Sequence, residues 1–427
     1  MGRGVLGALL ATSLSSAQTT ALTASWVIDG RGDTVIKNGV VVVEGERIQS
    51  VGAEGSAPAD AMMIDLGDTT LLPGLIDLHS HPTLCCDDYQ TTHLKKSSAL
   101  KSLEALKSVR GQLEAGWTTI RTAGASDVYW GIVDVKRVIE QGLFVGPRMQ
   151  VTGHYITVTG GGGDINFIAP DQRVIPDGLR VDGVEAMRLA VRKEVKYGGD
   201  WIKVLVTGAF MSAADDPRDV HMSPEELEAI VSEARRFKTP VMAHAHSADG
   251  IKMAIRAGAR SIEHGTFLDD EGIRLMVEHG TYLVPTMYIG DYYLEEHPDS
   301  EAQQKSNELS KKYRGEFFAN IGRAIDAGVK IGVGIDLGHF GHPPNVYARE
   351  LRTLVEAGMT PIEAIQAATR VGAEALGWED RLGTLEAGKL ADIIAVAGNP
   401  LEDLGTLENV RFVMLGGKVV RDERGEP

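Results

Sequence analysis

The stretch "LIDLHSHPTL" (Leu75–Leu84) sets the fold, because in it a hydrophobic run ends in two imidazoles, His79 and His81. In an extended strand alternate residues share a face, so the two rings point the same way. Imidazoles aimed from a strand end into an apolar interior are costly unless something pairs with them. Divalent ions such as zinc take these nitrogens, and they take carboxylates as well. Asp77 and Ser80 are expected to face away, with Asp77 deeper in the strand than the rim where a metal would sit.

Similar apolar, β-rich runs recur along the chain. They are Leu72–Leu78, Thr118–Ala123, Met149–Ile156, Trp201–Val206, Val241–His246, Ser261–His264, Tyr282–Met287 and Lys330–Leu337. Amphipathic segments separate them, among them "SPEELEAIVSEARRF" (Ser223–Phe237) and "SADGIKMAIRAGA" (Ser247–Ala259). In the first, Ser223 and Glu226 have the spacing of a capping box. Strands alternating with helices predict a parallel sheet, and eight of them predict an α/β fold of the (β/α)8 TIM-barrel type over residues 71–384. In such a barrel the chemistry lies where the strands end.

The flanks have another texture. "GVVVVEGERIQSVG" (Gly39–Gly52) is a hairpin pattern, and "KLADIIAVAGNP" (Lys389–Pro400) and "VRFVMLGGKVVRDERG" (Val410–Gly425) return to short strands with glycine turns. A lone hairpin is marginal. Residues 18–70 and 385–427 are therefore expected to combine into one small composite β-sandwich domain. At the very start, Arg3, the apolar run Val5–Leu14 and the small residues Ser15, Ser16 and Ala17 read as a signal peptide over residues 1–17. That predicts a secreted or periplasmic enzyme, cytoplasmic if the segment is no signal. The segment is too short to span a bilayer, and no other run is long enough, so no membrane partner is expected.

Composition excludes other classes. The chain has 427 residues and a formal net charge of −16, which repels phosphate backbones and argues against nucleic acid as a partner. Its two cysteines, Cys85 and Cys86, are adjacent, a spacing at which disulfide geometry is rarely met, and are read as free packing thiols. The glycine run Gly160–Gly163 lacks the Lys-Ser/Thr of a phosphate-binding loop and is read as backbone that approaches a substrate.

The strand ends carry further polar residues. Lys203 lies in "WIKVLVTG" (Trp201–Gly208), His244 and His246 in "AHAHS" (Ala243–Ser247), His264 in "IEHGT" (Ile262–Thr266) and Asp336 in "GIDLG" (Gly334–Gly338). Burial in an apolar strand lowers the pKa of a lysine. The neutral amine of Lys203 could then take up CO2 and become a carbamate, which behaves as a bridging carboxylate.

With these residues in place the chain resembles the amidohydrolase superfamily of the binuclear metal type. The resemblance rests on "LLPGLIDLHSHPT" (Leu71–Thr83), the lysine of "WIKV", "AHAHS", "IEHGT", "GVGIDLG" (Gly332–Gly338) and "GTLEAGKLADIIAV" (Gly383–Val396), and covers nearly the whole chain. Within the superfamily, "HAH" and "GHYITVTGGGGD" (Gly153–Asp164) are most similar to the Xaa-Pro dipeptidase, imidazolonepropionase-like and ochratoxinase branch. Gly162 and Thr122 stand where such relatives often carry a histidine and an aspartate.

The resemblance implies two divalent metal ions, Zn2+ by donor chemistry. His79, His81 and Asp336 would bind the more buried one, His244 and His264 the other, with carboxylated Lys203 between them. Metal-activated water would attack an amide carbonyl, and Asp336 would carry the proton to the leaving nitrogen. His246, Tyr155 and Gly162 are the expected substrate contacts, His246 as a cation for a substrate carboxylate. Arg121, Arg180, Arg218 and Tyr288 are candidates to line the pocket, and His154, His339 and His342 lie near the same rim.

The expected partner is a small-molecule amide whose nitrogen belongs to an amino acid with a free carboxylate: a dipeptide, an N-acyl amino acid or an ochratoxin-like N-aroyl phenylalanine. A cyclic-amide hydrolase, opening lactams or imidazolones with the same metals, is the alternative. A non-catalytic scaffold should have lost ligands, and all six are present. Relatives of this type imply a homo-oligomer, dimer to octamer.

Overall fold

The computed structural model describes residues 18–85, 88–212, 216–296, 301–340 and 343–423. The signal-peptide expectation for residues 1–17 and the readings of Cys86 and His342 lie outside these residues, as do the side chains of Cys85 and His339.

The chain opens with strands β1 (Thr19–Ile28), β2 (Val35–Glu44), β3 (Arg47–Ala53), β4 (Met62–Asp65) and β5 (Thr69–Pro73). The first histidine run is β6 (Leu75–Cys85). Then follow β7 (Trp117–Thr122), β8 (Arg148–Gln150), β9 (Tyr155–Thr157), β10 (Leu179–Arg180), β11 (Ile202–Leu205), β12 (Val241–Ala245), β13 (Ser261–His264), β14 (Tyr282–Val284) and β15 (Gly338–Phe340). The chain returns to β structure in β16 (Ile393–Ala397), β17 (Val410–Leu415) and β18 (Lys418–Asp422).

Both chain ends build one sheet, in the order β18-β17-β16-β5-β1-β2-β3, with β4 on β1. β16 lies antiparallel on β5, so residues more than 300 positions apart complete one another's ladder. Where a two-sheet sandwich was expected, the structure has a single continuous sheet that curls. Its edge strand β3 meets the segment leading into β16 through Ile48 N–H to Lys389 O (2.9 Å) and Ala391 N–H to Glu46 O (2.8 Å). Inside the curl Leu22, Val41, Ile48, Leu71, Ile393 and Phe412 form one apolar core. The curl thus buries one face without needing a second sheet.

The remaining strands form two parallel sheets, β10-β9-β11-β12-β13-β14 and β15-β6-β7-β8. Helices alternate with them, and the Ser223–Glu226 capping box does start the helix Pro224–Arg236. The predicted eighth run, Lys330–Leu337, is not a regular strand. It nevertheless bonds on both sides, through Gly332 N–H to Leu283 O (2.9 Å), Leu78 N–H to Val333 O (2.9 Å) and Asp336 N–H to His79 O (2.8 Å). On the other flank Asp200 N–H reaches Val151 O (2.7 Å), just past β8. The predicted run Met149–Ile156 divides into β8 and β9 with an irregular turn between.

Register within β6 explains how its two histidines come to face one way. Ser80 accepts Gln112 Nε2 from the helix Ser98–Glu114, and so faces away from the strands' inner side. Asp77 Oδ1 accepts the N–H groups of His79 (2.9 Å) and Ile335 (3.1 Å), and the residue is not part of the cavity wall. Residues 77 and 80 cannot both turn outward in a perfectly alternating strand. The ladder to β7 shifts between them, and the carboxylate of Asp77 occupies the backbone groups that the irregularity leaves free. Leu78 joins Trp201, Met242 and Tyr282 in the apolar floor, directly below His79.

Candidate metal centre

At the C-terminal ends of the parallel strands two groups of ligand atoms come together. His79, His81 and Asp336 form one, and His244, His246 and His264 the other, the donor atoms of each lying within 4.8 Å of one another. Asp336 Oδ1 is 3.4 Å from His79 Nε2 and 3.2 Å from His81 Nε2. Its Oδ2 is 3.8 Å from His264 Nδ1, so the carboxylate touches both groups. The rings of His79 and His264 are 5.0 Å apart.

Each imidazole has one nitrogen engaged already. His79 Nδ1 meets Glu263 Oε2 at 2.7 Å and His81 Nδ1 meets Gly124 O at 2.9 Å. His264 Nδ1 is 2.7 Å from Thr286 Oγ1, His246 Nδ1 is 2.8 Å from Thr266 Oγ1, and His244 Nε2 is 3.1 Å from Gly208 O. Such contacts fix ring orientation and leave the other nitrogen for a ligand role.

Burial pushes the imidazoles of His79, His244 and His264 well below their usual range. Burial, with the nearby Lys203 charge, lowers His246 to about 3. The rings are therefore neutral, the form that binds metal. This also corrects the expectation that His246 is a cation awaiting a substrate carboxylate. Its position is beside His244 and His264, 4.8 Å from the His264 ring and nearly stacked on it.

Lys203 lines the same cavity, and burial lowers its amine to about 8. Glu263 and Asp336 act on it through space, without a hydrogen bond. Neutral nitrogens, one carboxylate and an amine depressed by burial form a donor set that suits divalent ions.

The backbone is strained where these groups sit. His264, Thr286 and Asp336 have φ of 73°, 52° and 56°, in the left-handed region that non-glycine residues avoid. Strain of this kind persists only where the surroundings hold it. Below the site, Glu263 accepts Arg121 Nη2 at 2.8 and 3.0 Å while holding His79. Arg121, expected at the pocket wall, is fully buried, with Nε on Leu78 O (2.6 Å) and its guanidinium 4.5 Å from the Trp201 ring. It is too deep to meet a substrate, and supports the ligand bed instead.

Other expected contacts fall differently. Tyr155 lines the cavity with its ring, but its hydroxyl is donated to buried Asp177. The ring fits because Gly124, Gly163 and Gly178 have no side chain; a Cβ on them would stand 2.5, 2.3 and 2.7 Å from it. Gly163, not Gly162, lines the cavity. Arg180 is paired with Asp164 (3.0 Å), Tyr288 accepts Arg349 Nη1 (2.9 Å), and His154 is tied to Glu194 (2.7 Å). Arg218 lies 4.6 Å from both the Phe267 and Tyr313 rings, outside the cavity wall.

Several functional groups escaped the sequence reading. Glu263 could have been found, as an acid next to a strand-end histidine in an apolar strand. Thr286 and Thr266 have no such signal. Nor does the apolar part of the wall, where Phe210, Met287, Tyr293, Tyr313, Phe317 and Phe318 face the cavity. Most of these rings come from two helices, Tyr288–Glu296 and Glu301–Asp326, that follow β14.

The Amidohydrolase family profile matches residues 70–420 of the chain. Ochratoxinase of Aspergillus niger is 33% identical, over 97% of this chain and 89% of that protein. The crystal structure of A. niger ochratoxinase superposes with a TM-score of 0.83 at 31% identity, covering 95% of this chain and 96% of that one. A Xaa-Pro dipeptidase with methionine bound in its active site gives a TM-score of 0.86 at 36% identity, covering 95% of this chain and all of that one. The imidazolonepropionase of Cutibacterium acnes is 26% identical, over 85% of this chain and 84% of that protein. The chain belongs to the amidohydrolase family. It is an enzyme acting on amide bonds, on the branch with Xaa-Pro dipeptidase, ochratoxinase and imidazolonepropionase. Members of this family typically bind divalent metals, and the paired clusters are where this chain offers the ligands.

Proposed function

We propose that the linked parallel sheets act as one closed (β/α)8 barrel holding two divalent ions, Zn2+ by donor type, and that the enzyme hydrolyses an amide whose nitrogen belongs to an amino acid with a free carboxylate. The observation that carries the metal reading is the pair of adjoining clusters, each imidazole with one nitrogen already engaged. His79, His81 and Asp336 would hold one ion, and His244 and His264 the other. Bound there, the ions supply Lewis acidity toward a substrate carbonyl and lower the pKa of water to near neutrality.

The chain's own groups do the rest. The Lys203 amine, its proton loosened by burial, would give up that proton, form an N–C bond to CO2 and, shedding one N–H proton, become a carbamate anion beside the two groups. Asp336 touches both clusters, so it takes the proton from the attacking water and hands it to the departing nitrogen. His246, neutral and nearly stacked on His264, is read as a substrate contact. His246→Ala is expected to retain both ions and lose substrate affinity; loss of an ion would instead make it a ligand.

The substrate class is supported by the relatives, a dipeptidase with methionine bound and an ochratoxinase, and by the aromatic wall, which suits a bulky apolar group. The likeness to imidazolonepropionase keeps cyclic amides as a second reading. A screen of dipeptides, N-acyl amino acids and lactams separates the two, and opening of lactams alone would overturn the first. Residues 1–17 are read as an export signal, tested by whether the secreted protein begins at Gln18. Assembly into a homo-oligomer is inferred too, and a monomeric mass in solution would refute it.

A further inference from the structure

We propose that Glu350 is a positioning residue for the reaction: it holds the turn after β14 and, through Thr286, the ring of His264. Glu350 lies in the helix Arg349–Glu356, past the last ligand Asp336, and is fully buried. Its Oε1 accepts the N–H of Met287 at 2.9 Å and its Oε2 that of Tyr288 at 2.6 Å. Thr353 Oγ1 adds a longer contact of 3.4 Å. Among the described residues no cation pairs with it, and the charge that acts on it through space is another acid, Asp291. Burial pushes the carboxyl up to about 8, and the two backbone N–H groups, then Thr353, oppose that rise.

A buried acid without a counter-ion needs a reason, and the segment it holds supplies one. Pro285, Thr286 and Met287 all line the cavity. Thr286 has φ 52°, which a β-branched residue adopts only under constraint. Its Oγ1 is the group 2.7 Å from His264 Nδ1. The two residues that follow it pass their N–H groups to Glu350, at the first turn of the helix Tyr288–Glu296, where such groups lack partners within the helix. Glu350 thus fixes the far side of a strained threonine whose near side orients His264. It touches neither a ligand atom nor the cavity, so its effect is exerted through the turn alone.

The metal and kinetic parts of this proposal rest on reading His264 as a ligand; the structural part does not. The test compares wild-type holoenzyme with Glu350→Ala and Glu350→Gln. Three quantities are read: amide hydrogen exchange at Met287 and Tyr288, retention of Zn2+ against a chelator, and kcat and KM on the best amide substrate. Both variants should exchange these two amides at least about tenfold faster, with Glu350→Gln the milder because one oxygen remains. Zn2+ retention and kcat should each fall about tenfold, with KM nearly unchanged. Unchanged exchange would overturn the proposal, as would faster exchange with Zn2+ retention and kcat intact. If Glu350→Ala does not fold, Glu350→Gln decides alone. If the wild type hydrolyses no amide, the functional reading falls, while exchange and Zn2+ retention still judge Glu350.

Discussion

Lys203 shows how a single buried group ties sequence to chemistry. Its amine lines the same cavity as the neutral rings of His79, His244, His246 and His264, and burial holds it at about 8, below its ordinary value of 10.5. In metal-free protein the unfolded state therefore binds the extra proton between those two values. Stability should rise as pH goes from about 8 to about 10.5, by on the order of 3 kcal/mol. Lys203→Met should lack this rise, so the stability gap between the two proteins should close across the window in chemical denaturation. A constant gap would place Lys203 in a more solvated setting.

Glu263 supplies a second residue-level test. It holds His79 by Nδ1 and is itself held by Arg121. Glu263→Gln should weaken metal binding by about 10- to 100-fold without removing a ligand, as measured by competition with a chelator. The ligand histidines were legible because each ends an apolar strand. Their supports were not, since a threonine or glycine carbonyl that orients a ring has no pattern of its own. The expected turn of Asp77 away from the site holds, but strict alternation cannot give it together with Ser80. The irregularity between them was not visible in the sequence.

Two glycines decide the element scale. A Cβ on Gly334 would lie 2.6 Å from His79 Cβ, and one on Gly332 would lie 2.4 Å from Leu78 Cδ1. The segment 330–337 can approach β6 only because both are bare. Gly334→Ala should therefore displace His79 and lower metal content in a folded protein, detectable by elemental analysis with circular dichroism as control. The sequence showed this segment as an ordinary strand, since spacing of apolar residues does not report how closely two backbones come. The two helices after β14 were equally hidden. They show as residues between two apolar runs, and nothing in their charged pattern says that one face lines a cavity. If that face sets specificity, Phe317→Ala should cut kcat/KM for a large N-aroyl substrate about tenfold and leave an N-acetyl substrate nearly unchanged. Equal losses on both would move the recognition elsewhere.

At the scale of the whole molecule, the alternation of apolar runs and amphipathic segments carried the parallel-sheet architecture, and the β texture at both ends carried their union. Whether they meet as one curled sheet or two packed ones depends on long-range register, such as Ile393 opposite Pro73, which no local pattern encodes. The arrangement has a mechanical consequence. β5 belongs to the curled sheet and β6 begins two residues later, so the strand carrying His79 and His81 starts from a base completed by the chain's last strands.

Metal content followed against amide hydrolysis tests the central claim most directly. Purified enzyme is dialysed stepwise against a chelator, and bound divalent ion and turnover are measured on the same samples. Two ions per chain are expected, with activity that falls in step with their loss and recovers when Zn2+ is returned. Full hydrolysis persisting after the last ion has left would contradict this expectation.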